Sequence, residues 1–329
     1  MADNVARRRI AVVLTPAPRG SRAGNRTTAL RVAGLLRQLG WTTRVRTAWR
    51  DEPCDLVVAV HAVKSATAAV AAKAARPDAR FVVMLAGTDV YPRYEPTPDS
   101  AAALAAADAI VALQPLAASA LPAALRAKAR AIVQSATTVG AHAASSGAVA
   151  RPFVACVLAH LRLVKDPLLP VHALAHVPDT PLVQVVVAGR ALTDDLAAAM
   201  RAAVAAEPRA RWLGELPRRQ ARALLAASDV LVVPSAAEGG ANVVSEALAA
   251  GVPPLATAVP GNTALLGDDW PGLFPAGDAA ALGALLARAA GDAAFFAGLR
   301  ARAAALRPMV APARERAAWA ALLADIGLD

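Results

Sequence analysis

Ser228-Asp-Val-Leu-Val-Val-Pro-Ser-Ala-Ala-Glu238-Gly-Gly-Ala-Asn-Val-Val-Ser-Glu246-Ala-Leu-Ala-Ala-Gly251-Val-Pro253 is the most informative stretch of the chain. Val230–Val233 is a short, unbroken apolar run, the pattern of a strand buried on both faces. Pro234 and Ser235 end it. Asn242–Ala250 carries apolar residues at helical spacing and stops at Gly251, a residue suited to the left-handed turn at a helix C-terminus. A strand running into a helix through a glycine-containing loop predicts one βα unit of a parallel sheet.

The same pattern recurs along the chain. Strands are expected at Ile10–Leu14, Leu56–Val60, Phe81–Leu85, Ala109–Leu113 and Ala131–Val133, with helices at Asn25–Leu39, Lys64–Ala75 and Leu116–Leu125. Residues 138–151 are small, polar and glycine-containing without periodicity. The alternation then restarts, with strands at Phe153–Leu158, Val183–Val187, Val230–Val233 and Pro254–Ala256. Helices are expected at Leu168–His176, Thr193–Ala205 with Thr193 as N-cap, Pro217–Ala227, Asn242–Ala250 and Asp278–Ala290, and the rest of the chain is helical. This order predicts an α/β chain of two Rossmann-like, doubly wound parallel-sheet domains facing across a cleft. The expected division is an N-terminal domain over 1–140, a linker over 141–151, a C-terminal domain over 152–305, and a last helix over 306–329 packing back on the first domain.

Composition narrows the function classes. With 329 residues and 57% hydrophobic side chains the chain can fill two cores. The net charge is +10. Only Lys64, Lys73, Lys128 and Lys165 are lysines; the other basic residues are arginines scattered through helical stretches. No aromatic residues interleave with them as in single-strand binders, so no nucleic-acid partner is expected. The two cysteines, Cys54 and Cys156, form no CxxC pair, which suggests neither zinc nor disulfides and fits a reducing cytoplasm. Arg7-Arg8-Arg9 precedes an apolar run that ends at Pro16, too short for a secretion signal. No membrane span is expected. Gly20-x-x-x-Gly24 lacks the following Lys of a phosphate loop, no GxSxG elbow is present, and Asp268-Asp269 before Trp270-Pro271 reads as a turn.

In open parallel sheets ligands bind beyond the carboxyl ends of strands. Glu238-Gly239-Gly240 there lets backbone amides approach an anion at a helix start, and a diphosphate is a natural guest. Glu246, further along the helix, is placed to accept from sugar hydroxyls. On spacing alone, Glu238 as a plain helix cap and Glu246 as a solvated side chain are equal alternatives. Arg162 and Lys165 follow the strand Phe153–Leu158 and can neutralise a departing diphosphate, or form a solvated basic loop. In the first half, Gly24-Asn25-Arg26-Thr27 precedes a helix, His61 and Lys64 follow one strand, and Gly87-Thr88-Asp89 follows another. These loops suit a small anion, with His61 or Asp89 handling a proton. Each also has an ordinary explanation: Asn25 and Thr27 as helix caps, His61 as a satisfied core histidine, Asp89 as a turn residue.

Residues 228–253 closely resemble the E-x7-E region of the retaining, GT-B-fold glycosyltransferases of family 4. The resemblance implies that Glu238 lies by the donor sugar, that Glu246 binds the nucleotide ribose, and that Gly239, Gly240, Ala241, Asn242 and Val243 hold phosphate and sugar. Those enzymes generally need no bound metal, so no metal or cofactor is expected. Family 4 enzymes usually space their Arg and Lys farther apart than Arg162 and Lys165. The form His160-x-Arg-x-x-Lys165-Asp-Pro167 resembles instead a subgroup, the selenosugar synthases of selenoneine biosynthesis. So do Gly24–Ala29, Ala59–Ala62, Gly87–Tyr91, Leu113-Gln114, Gln134–Ala136, and Val259–Asn262 with Leu265–Gly267. Ala159 departs from the glycine expected before His160. This narrower resemblance implies transfer of a hexose from UDP-N-acetylglucosamine or UDP-glucose to selenophosphate, giving a 1-seleno sugar, UDP and phosphate. Its acceptor would be held by Gly24, Asn25, Arg26, Thr27, His61, Lys64, Gly87 and Thr88. The alternatives are an ordinary family 4 glycosyltransferase with a carbohydrate or small-molecule acceptor, a UDP-sugar epimerase on the same fold, and a nucleic-acid binder.

Overall fold

The structure, a computed structural model, describes residues 9–91, 93–137 and 151–328. Strands β1 (Ile10–Leu14), β2 (Thr42–Arg46), β3 (Leu56–Val60), β4 (Arg80–Met84), β5 (Ala109–Ala112) and β6 (Ala129–Ala131) form one sheet. Their order is β2-β1-β3-β4-β5-β6 and every pairing is parallel. Strands β7 (Phe153–Leu158), β8 (Val183–Ala188), β9 (Ala210–Trp212), β10 (Val230–Val233), β11 (Pro254–Thr257) and β12 (Leu273–Phe274) form a second. It runs β12-β11-β10-β7-β8-β9, again all parallel. The chain thus has the expected α/β fold of two Rossmann-like sheets.

The apolar runs locate the central strands. Sequence reading passed over β2, β9 and β12, and each lies at a sheet edge. An edge strand is covered on fewer sides and needs no continuous apolar run. Thr42-Thr-Arg-Val-Arg46 has Val45 as its one apolar residue and is only half-buried. The expected helix Leu116–Leu125 is two short helices, Pro115–Ser119 and Ala123–Arg126, separated around Pro122. A helix at Pro98–Ala106, capped by Thr97 accepting from the Ser100 amide at 3.2 Å, was not foreseen.

The chain forms two compact units, Met1–Val133 with Ala313–Asp329, and Gln134–Pro312. In the first, alternate strand residues face opposite layers, as the two-residue period of a strand requires. Val13, Val58, Val82 and Val111 pack with Val32, Leu35 and Leu36 of the helix Gly24–Gln38, and with Trp319, Leu322 and Leu323 of the last helix, Pro312–Asp325. Val12, Val57, Val83 and Ile110 pack on the other face with Ala69, Ala72 and Leu104. The last helix also carries a buried Glu315, whose Oε1 lies 3.3 Å from Arg31 Nε. Apart from Arg151, the linker expected at 141–151 lies outside the described residues. Among the described residues no single helix is long and apolar enough to cross a membrane.

Strand order fixes where ligands can bind. In the first sheet the chain turns outward from β1 to β2 and then returns to β3 on the other side. In the second it runs from β7 outward to β9 and returns to β10 beside β7. The loops after β1 and β3, and those after β7 and β10, therefore diverge at a topological switch point, where such sheets open a crevice.

Candidate active site

At the second unit's switch point, the loop after β7 becomes a short 3₁₀ turn, Leu163–Lys165. Its Val164 carbonyl accepts from the Ala236 amide at 2.9 Å, which ties it to the loop after β10. Lys165 Nζ donates to Glu238 Oε1 at 2.5 Å, and Ser235 Oγ donates to the same oxygen at 2.6 Å. Glu238 is buried, and its Oε2 makes no hydrogen bond among the described residues. Glu238 is therefore no helix cap: the helix Asn242–Ala250 has Ala241 at its N-cap, with no side-chain cap bond. No acidic residue lies in that helix's first turn, so the positive end of its dipole, about half a charge, is uncompensated. Gly240 approaches it at φ 135°, a conformation open to glycine.

The neighbouring side chains divide in role. The Arg162 guanidinium makes no hydrogen bond or ion pair among the described residues and is half-buried. Asp166 holds a left-handed φ of 40° at the end of the 3₁₀ turn, and burial pushes its carboxyl up, opposed by His172 and the Leu169 amide. Glu246 is half-buried, with Arg218 at 3.8 Å, so it is neither fully solvated nor tightly paired.

The backbone of Ala159 runs hard against Gly189. A Cβ on Gly189 would lie 1.7 Å from the Ala159 carbonyl oxygen and 2.9 Å from the His160 amide nitrogen. The glycine that this close crossing needs sits on the loop after β8, not at position 159. His160 Nδ1 accepts from the Arg190 amide at 3.2 Å, and its Nε2 lies 4.0 Å from Glu215 Oε1.

In the first unit, His61 sits immediately after β3 at φ 74° and is buried. Its Nδ1 lies 3.2 Å from the Lys64 amide nitrogen and its Nε2 lies 3.0 Å from Thr88 Oγ1. Asp89 follows on the loop after β4, with its Oδ2 3.6 Å from His61 Nδ1. Its oxygens accept from the amides of Ala62 (2.8 Å), Ala86 (2.9 and 3.0 Å) and Gly87 (2.7 Å), and its side chain is fully buried. It fastens the loop after β3 to the loop after β4. Lys64 and Thr88 are exposed on those loops. After β1, the helix Gly24–Gln38 starts at Gly24 with Ala23 as N-cap, without a side-chain cap or an acidic first turn. Asn25 and Thr27 are therefore inside the helix and do not cap it, and Arg26 lies beside them.

Sequence reading missed the support around Glu238. Thr257 Oγ1 donates to the Ser235 carbonyl at 2.6 Å, and Asn262 Nδ2 donates to Thr257 O and Oγ1 at 3.0 and 3.1 Å. A Cβ on Gly261 would lie 2.0 Å from the Glu238 carbonyl oxygen. The only signal in the sequence is Val259-Pro-Gly261-Asn262, whose resemblance implies no role for it. Among the described residues no group of three or more His, Cys, Asp and Glu side chains is arranged to hold a metal ion.

Each of the two units is a Rossmann-like parallel sheet, and the second carries the Lys165–Glu238 pair at its switch point. Residues 141–302 match the family described as "Glycosyl transferases group 1". Among solved structures, Alr3699/HepE from Anabaena in complex with UDP is similar with a TM-score of 0.77 at 18% identity, covering 96% of this chain and 99% of that one. Sucrose-phosphate synthase (tll1590) from Thermosynechococcus elongatus gives 0.73 at 16% identity, covering 97% and 98%. At these identities the likeness establishes the fold. No curated protein matches the sequence.

Proposed function

We propose that the protein is a selenosugar synthase: it transfers a hexose from UDP-N-acetylglucosamine or UDP-glucose to selenophosphate. The observation that carries the donor half is Lys165 and Glu238 joined at the switch point, beside an uncapped helix start. Lys165, Arg162 and the amides leading into Asn242–Ala250 neutralise the diphosphate as the sugar–oxygen bond lengthens. Glu238 Oε2 accepts from a sugar hydroxyl and Glu246 from the ribose, the roles that the resemblance to family 4 implies.

The selenium assignment is supported by the resemblance of the loops of both units to the selenosugar synthases. It is supported also by the chemistry of the first unit, whose uncapped helix start with Arg26, exposed Lys64 and Thr88 hydroxyl are groups suited to a small anion. Selenium attacks the anomeric carbon, the bond to the UDP oxygen breaks, and UDP leaves with the electron pair. Water then attacks phosphorus, the Se–P bond breaks, and phosphate and a 1-seleno sugar result. His61, whose Nε2 is hydrogen-bonded to Thr88 Oγ1 at 3.0 Å, orients Thr88 toward that anion. The free thiols suit a cytoplasmic enzyme.

The test is incubation with each UDP-hexose, with and without selenophosphate, read by mass spectrometry. UDP, phosphate and a seleno sugar are expected only with selenophosphate present. Equal UDP release without it, or transfer to a carbohydrate acceptor in preference, replaces the selenium reading with an ordinary glycosyltransferase.

A further inference from the structure

Ser235 is buried at the end of β10, and its hydroxyl is spent on Glu238. Two donors, Lys165 Nζ and Ser235 Oγ, share Oε1, and this leaves Oε2 for a ligand. The two donors differ in what they do when a ligand arrives. Lys165 is a cation beside an uncapped helix start, and a diphosphate there competes with Glu238 for its ammonium. Ser235 is neutral, buried and anchored from behind. Its carbonyl takes the Thr257 hydroxyl at 2.6 Å, and Thr257 is held in turn by Asn262 Nδ2 at 3.1 Å. Asn262 and Thr257 are fully buried. On the other side Gly261 packs so closely on the Glu238 backbone that a Cβ there would lie 2.6 Å from the Glu238 Cβ.

We infer that Ser235 is the positioning residue for Glu238, keeping its carboxylate aimed at the donor sugar when the diphosphate draws Lys165 away. This rests on the donor half of the proposed function and not on the identity of the acceptor. Ser235 touches no substrate. Its contribution is to turnover and not to capture of the nucleotide, because the groups that bind the diphosphate do not depend on it.

The experiment compares the parent with Ser235→Ala and Ser235→Thr, using UDP-glucose and UDP-N-acetylglucosamine for kinetics and UDP alone for calorimetry. Loss of a hydrogen bond to a charged group lowers kcat by about tenfold or more. In Ser235→Ala this fall is expected with the affinity for UDP unchanged, and Ser235→Thr, which keeps the hydroxyl, recovers most of it. Parental kcat in Ser235→Ala overturns the inference. So does a loss of UDP affinity parallel to the loss of kcat, which marks a collapsed loop, or equal defects in the Ala and Thr variants. A parent that neither binds UDP nor turns over either sugar nucleotide defeats the donor reading itself, a result distinct from all of these.

Discussion

Asp89 and Glu238 are both buried carboxylates just beyond a parallel strand, yet they are used in opposite ways. Asp89 sits between two loops and accepts from the amides of Ala62, Ala86 and Gly87, so both its oxygens are spent on backbone. Glu238 takes two side-chain donors on Oε1 and keeps Oε2 open. Backbone amides move only with the whole loop, so a carboxylate that satisfies them is a structural tie. Side-chain donors can be exchanged for a ligand, so a carboxylate that rests on them is a presented group. The comparison separates two residue types that look alike in sequence, an acid following glycine or preceding it after a strand.

The comparison breaks most readily at the Lys165–Glu238 pair. Lys165→Ala and Glu238→Ala are each expected to lower turnover of the UDP-hexose by about 10²–10³-fold, measured as UDP release, because each removes a charge aimed at the reacting centre. Urea unfolding of Glu238→Ala should stay close to the parent. Asp89→Ala should reverse that pattern. Three buried amides lose their acceptor, and the unfolding free energy should fall by about 2–4 kcal/mol. An Asp89→Ala protein of parental stability would remove the distinction between tie and presented group.

A smaller effect is expected at Gly261. A methyl group there meets the Glu238 carbonyl at 2.0 Å, so Gly261→Ala should cost about 1–3 kcal/mol and displace Glu238 with it. Stability and turnover should therefore fall together, whereas they separate in the other two cases. The smallest effect concerns the thiols. Burial pushes Cys54 up to about 11 and Cys156 up to about 12, so both are neutral thiols at pH 8. Iodoacetamide at pH 8 should leave the folded protein almost unlabelled, and denaturant should expose both sites to rapid labelling.

The comparison also marks what could be read from the sequence. Ile10–Leu14, Leu56–Val60, Phe153–Leu158 and Val230–Val233 were legible to the residue because a strand buried on both faces must be an apolar run. Thr193 was legible as an N-cap, and its Oγ1 accepts from the Leu196 amide at 3.4 Å. The edge strands β2, β9 and β12 were not, Thr42–Arg46 having Val45 as its one apolar residue, and the edge strand expected at Ala131–Val133 lies two residues earlier, at Ala129–Ala131. Lys165 and Glu238 were each legible as site residues. Their partnership was not, because strands β7 and β10 become neighbours only through the sheet order. Asp89 stood out as polar after a strand, a signal that cannot distinguish an acid facing a ligand from one facing its own backbone.

Gly189 constrains which sequences the fold accepts. The atom that forbids a side chain at position 189 is the Ala159 carbonyl oxygen, which every amino acid has. Restoring glycine at 159 would not relieve a substitution at 189. A library randomised at both positions and sorted for folded, active protein should therefore tolerate a range of small residues at 159 and return glycine alone at 189.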